Sequence, residues 1–160
     1  MVEAPALWRR FVALLSAQLK QGITPEKIAL TIALGIALGI FPILGACTVL
    51  CAITGIVLRL NQPIIQAVNY FAYPAQLLLL IPFYRAGEDL FHQPHVPILS
   101  VTEMLSRFQA GPLQFLRDYG MAGLYGITVW CLLAPVLVVA IYFPLRPLLR
   151  RLHVGQTPSI

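Results

Sequence analysis

The chain has 160 residues, of which 59% are apolar and only 11% charged, with a mean hydropathy of +0.81. Soluble domains carry about 25% charged residues, so this composition excludes an ordinary soluble fold and points to an all-α integral membrane protein of one domain. The net charge of +5 comes from cations that flank apolar runs, with no aromatic-interleaved basic patch, which argues against nucleic acid as a partner.

Residues 5–21 predict an amphipathic interfacial helix. Leu7, Phe11, Leu14, Leu15 and Leu19 recur at helical spacing, with Arg9, Arg10 and Lys20 elsewhere. The segment lies either on lipid or on the protein's own cytoplasmic face. Its charges and Trp8 leave no continuous apolar core, so no cleavable signal peptide is expected.

Thr24-Pro25 reads as a helix start. From Ile28 to Leu58 there are 31 uncharged residues between Lys27 and Arg59. One pass needs about 20 residues and two need roughly 40. The break Phe41-Pro42-Ile43-Leu44-Gly45 falls near the middle, where proline lacks a helix donor and glycine tolerates a sharp turn. The run therefore predicts a re-entrant hairpin over 28–58, with half-length helices at about 28–40 and 46–58 and a tip at Gly39, Pro42 and Gly45. The alternative is one long kinked span. Ala29, Ala33 and Ala37 repeat every four residues, as do Gly35 and Gly39, a spacing that lets backbones approach closely. Cys47, Cys51 and Cys131 lie in apolar runs and read as small packing residues.

Arg59-Leu60-Asn61-Gln62-Pro63 is a polar turn that restarts a helix. A transmembrane pass is expected over 60–84, which is free of charge and interrupted by Pro74 and Pro82. Gln62, Gln66, Asn69, Tyr73 and Gln76 are spaced four, three, four and three apart, and so share one helix face. In hydrocarbon such groups must find partners or water. The stripe is either glue between helices or a polar path for substrate. Arg59 and Arg85 flank the pass and are candidates to grip phosphate bidentately, with interfacial snorkelling as the alternative. Together with Asn61 they complete the candidate substrate-binding set.

Beyond Arg85, Glu88 and Asp89 read as solvated helix-end charges. His92 and His95 straddle Pro94 without further ligands nearby, so no metal is expected. Residues 98–118 mix apolar and charged positions and predict one or two short interfacial helices broken at Gly111-Pro112. A second pass is expected over 120–143, kinked at Pro135, framed by Tyr125 and Tyr142 and stopped by Arg146, Arg150 and Arg151. The tail GQTPSI reads as disordered.

Of the 11 Lys and Arg, eight lie in residues 1–27, at Arg59 and in 146–151, whereas 85–118 holds three against four acids. The positive-inside rule then puts both termini and Arg59 in the cytoplasm and 85–118 outside, as a re-entrant hairpin followed by two passes requires.

The segments GIALGIFPILG, LRLNQP, Tyr73-Pro74 and FYRAG, over roughly residues 25–92, resemble the bacterial membrane family called domain of unknown function 2062. Many members carry Asn-Pro where this chain has Tyr73-Pro74, and here Asn69 lies one turn away. The resemblance implies the bacterial inner membrane. Because some relatives are joined to glycosyltransferase-like domains, it also implies a glycosyltransferase or envelope-synthesis partner. The broken hairpin is similar in kind to the DedA lipid-transporter superfamily.

These features lead to two expectations. One is a transporter or flippase-like protein for an anionic lipid or lipid-linked carrier, such as a polyprenyl phosphate or a phospholipid. The other is a non-catalytic membrane scaffold. The expected partners are membrane lipids and a second copy of the chain, since a dimer would cover the hairpin. No carboxylate or histidine falls in a span, so neither enzymatic activity, proton coupling nor a cofactor is expected.

Overall fold

The computed structural model describes residues 24–97 and 100–154. Five helices follow in order: α1 Pro25–Gly39, α2 Ala46–Val57, α3 Gln62–Leu90, α4 Val101–Ala110 and α5 Pro112–Val154. There is no strand among the described residues. The helix expected at 5–21 and the tail from 155 lie outside them.

Local chemistry sets the boundaries. Thr24 caps α1 by accepting from the Lys27 N–H at 3.4 Å, with Pro25 in the first turn. Asn61 caps α3 in the same way, accepting from the Ile64 N–H at 3.0 Å. Between α1 and α2 the chain turns through 40–45, and Gly45 has φ +85°, a left-handed geometry that costs glycine nothing. α2 ends with the Leu60 N–H on the Gly55 carbonyl at 2.8 Å and the Arg59 N–H on the Ile56 carbonyl at 3.2 Å. This is the Schellman pattern, whose left-handed position is usually glycine, yet Arg59 occupies it with φ 51°. α3 ends identically. The Gln93 N–H bonds the Glu88 carbonyl and the His92 N–H the Asp89 carbonyl, with His92 at φ 53°.

Two sequence boundaries are corrected. α3 does not stop at Tyr84 but carries RAGED within it and ends at Leu90. The interfacial helix expected before residue 118 and the pass over 120–143 are one continuous helix of 43 residues, because the only break nearby, Gly111, precedes Pro112. Pro135, Pro144 and Pro147 lie inside it without ending it.

α1 is the centre of the bundle. It is apolar all round and is buried at Ile28, Ala29, Ile32, Ala33 and Ala37 against neighbours on several sides. It runs parallel to α3: Ile28 shares a cluster with Ile64, Gly35 faces Val68 and Gly39 faces Ala72. It runs antiparallel to α5, with Glu26 beside Arg150 at one end and Ala37 beside Trp130 further along. α2 returns antiparallel to α3. The start of α1, the end of α2, the start of α3 and the end of α5 therefore share one end of the molecule. The turn at 40–45 sits beside Gln76, midway along α3, so the α1–α2 hairpin covers half the length of its long neighbours. At 1.5 Å per residue α3 is ~43 Å long and α5 ~65 Å.

α3 and α5 are long and apolar enough to cross a membrane. In the most apolar stretch of α5 only 11% of residues are buried, unlike the core helix of a soluble protein. α2 also turns an apolar face outward, with Val49, Ile53, Ile56 and Val57 each more than half exposed.

Candidate functional site at the helix break

A broken helix leaves carbonyl groups without helical partners. Here side chains from α3 and α5 converge on them. Gln76 is 2% exposed; its Nε2 donates to the Phe41 carbonyl at 2.9 Å and lies 3.0 Å from Cys47 Sγ. The Tyr84 hydroxyl donates to the Pro42 carbonyl at 2.7 Å, and the Trp130 indole N–H to the Ala37 carbonyl at 2.8 Å. Trp130 also meets Phe41 edge to face, with ring centroids 4.9 Å apart.

The rest of the amide stripe faces α2. Gln62 Nε2 donates to the Ala52 carbonyl at 2.9 Å, Gln66 Nε2 to the Thr48 carbonyl at 3.1 Å and Asn69 Nδ2 to Thr48 Oγ1 at 3.3 Å. Gln66 Oε1 is buried with no hydrogen-bond partner among the described residues. Tyr73 lies on the same spacing but is half exposed. It lines a cavity of about 260 Å³ with Gly45, Cys47, Thr48, Asn69, Tyr70 and Gln76. Among the described residues no side chain caps the N-terminus of α2 and its first turn carries no acid; the Ala46 N–H bonds the Ile43 carbonyl at 3.3 Å, and the positive end of the helix faces the cavity. On the α1 side of α3, Ile32, Ile36, Ile40, Val68 and Phe71 line an apolar groove of about 320 Å³.

The structure does not bring every candidate together. Gly39 belongs to the α1–α3 contact, where an added Cβ would lie 2.7 Å from that of Ala72. Pro42 is buried in the turn, and Asn61 is committed to capping α3. Arg59 is exposed at the shared end of the molecule, well away from the cavity along α3. Arg85 lies toward the opposite end, paired with Glu88 at 2.8 Å.

That pair corrects one expectation. Glu88 is not solvated but 1% exposed, held by Arg85 and by the Val96 N–H at 2.9 Å. Reading the charged stretch as the end of the helix hid this, since a helix continuing to Leu90 turns Glu88 inward. Tyr84 and Trp130 were also missed. Tyr84 is eight residues after Gln76 and extends the same face, and an indole N–H in an apolar helix always asks for an acceptor.

The arrangement defines an all-helical protein with two helices fit to cross a membrane and a broken hairpin beside them. The chain belongs to DUF2062, a family described as uncharacterized protein conserved in bacteria, whose model matches residues 8–157. No curated protein and no solved structure matches it.

Proposed function

We propose that the protein is a multi-pass protein of the bacterial inner membrane, with both termini cytoplasmic and α1–α2 re-entrant, that moves an anionic lipid or lipid-linked carrier. One observation carries this reading: the break between α1 and α2, level with the middle of α3, beside a partly polar cavity at the N-terminus of α2. Broken helices at mid-membrane depth put partial charges and hydrogen-bonding groups where a polar headgroup can be held, as in secondary transporters. Thr48, Asn69 and Tyr73 supply polar contacts, and the apolar groove on the other side of α3 suits a hydrocarbon chain. A polyprenyl phosphate and a phospholipid both fit this division.

Proteoliposomes carrying fluorescent phosphatidylglycerol test the proposal. The expected result is lipid movement above that of protein-free vesicles, lost in a Thr48→Val, Tyr73→Phe double variant that keeps the native melting temperature. Movement equal to protein-free vesicles, or movement unchanged in the variant, overturns it.

The exposed face of α2 favours a second reading, a non-catalytic scaffold in which this face meets a second copy or an envelope-synthesis partner. Crosslinking from Ile53→Cys in native membranes separates the two. A specific protein adduct without lipid movement selects the scaffold.

A further inference from the structure

At the end of the molecule away from the α1 N-terminus lies a cleft of about 570 Å³ between the end of α3, the loop 91–97, α4 and α5. Its walls carry Glu88, His95, Arg107, Arg117, Asp118 and Tyr125. The site is built rather than incidental. Glu88 is anchored by Arg85 and by the Val96 N–H, and the Tyr119 hydroxyl bonds the Pro97 carbonyl at 2.9 Å, so the far end of the loop is fixed. Beneath it Gly87 lets α3 approach the Tyr125 backbone, where an added Cβ would come within 2.5 Å.

The charges are mixed. Arg107 reaches Glu103 at 3.2 Å in an exposed pair that rearranges at little cost. Arg117 and Asp118 make no ion pair among the described residues. His95 is tied to Asp89 at 2.8 Å. Glu88, buried at the base of the cleft, is already held by Arg85 and by the Val96 N–H. The cleft thus presents two guanidinium groups that can take acceptor oxygens and one carboxylate, Asp118, that has no ion-pair partner among the described residues. A bare anion satisfies only the guanidinium groups.

From this we infer that the cleft binds a phosphoester headgroup that also carries hydrogen-bond donors, an ammonium or hydroxyls. Arg107 and Arg117 take the phosphate oxygens, and Asp118 accepts from the donors. The same chemistry is offered by a lipid headgroup and by a free phosphoester. A choline headgroup has a phosphate but no donor and is rejected. The inference goes beyond the reading of the helix break, since it concerns binding at a second place and not movement.

The test uses the full chain. Calorimetry in detergent reads soluble phosphoethanolamine and glycerol 3-phosphate, and native mass spectrometry from nanodiscs reads phosphatidylethanolamine, phosphatidylglycerol and phosphatidylcholine. Binding of the soluble esters identifies a free ligand, and binding of the first two lipids alone identifies a lipid headgroup. In either case R107A and R117A, both exposed and expected to fold, each weaken binding about tenfold, and D118N weakens the ammonium-bearing ligands. No binding by any probe, phosphatidylcholine bound as well as phosphatidylethanolamine, or full binding by R107A and R117A overturns the inference. None of these outcomes depends on lipid movement, so this inference and the transport reading fail separately.

Discussion

Replacing Gln76 by leucine keeps the side chain's bulk and removes its amide. The Phe41 carbonyl then loses its 2.9 Å donor, and the Ile43 carbonyl loses a weaker contact at 3.4 Å. What remains to Phe41 is a tight-turn bond from the Ile43 N–H at 2.9 Å and a thiol contact at 3.7 Å. Gln76 is buried, so water does not substitute. The expected destabilisation is about 1–3 kcal/mol. The amides earlier in the stripe behave differently. Gln62 and Gln66 donate to the Ala52 and Thr48 carbonyls, which already serve the ladder of α2, and Gln66 also buries an oxygen that has no partner among the described residues. Gln62→Leu should cost about 0.6 kcal/mol, the average for a polar contact between membrane helices, and Gln66→Leu less or nothing. Reversible unfolding in mixed micelles reads all three. Equal losses at 62, 66 and 76 would refute the argument that the acceptor's position in the break, and not the amide itself, sets the energy.

Gly39→Ala puts a methyl 2.7 Å from the Ala72 Cβ and should cost about 1–3 kcal/mol in the same assay, with Ala72→Gly restoring most of it. Arg59→Gly relieves a left-handed residue and should stabilise the fold by up to about 1 kcal/mol while lowering lipid movement, if Arg59 serves headgroups at the surface. A variant that is more stable and fully active would leave the arginine there unexplained. Glu26 is held below the usual carboxylate range by its own backbone N–H and then by Arg150. Its pairing is therefore present at neutral pH and is lost as pH falls through the lowered folded value. Melting temperature should fall below about pH 4, and Glu26→Gln should flatten that limb.

The break between α1 and α2 was legible because Pro42 and Gly45 interrupt an apolar run that otherwise favours helix. The amide face was legible because its spacing admits only one side of a helix, and the structure sets that side against α2 and the break. Less visible was what happens at the charged ends. Arg85, Glu88 and Asp89 look like a stop signal, yet an internal ion pair and a loop N–H let α3 continue to Leu90. Likewise Arg117 and Asp118 hide the continuity of α5, because charge marks a membrane boundary but does not end a helix. The left-handed turns at Arg59 and His92 carry no sequence signal, since both are Schellman ends without the usual glycine. The cleft at Glu88 depends on contacts between α3, α4 and α5 that no local pattern encodes.

The central claim is that α1 and α2 enter the membrane and return. Single cysteines at Lys27, Arg59 and His95, placed in a chain with Cys47, Cys51 and Cys131 replaced by alanine, test it by labelling with an impermeant maleimide from each side of sealed vesicles. The account predicts that positions 27 and 59 label from the same side and 95 from the other. Labelling of 59 from the side opposite 27 would make 28–58 a full crossing and contradict it.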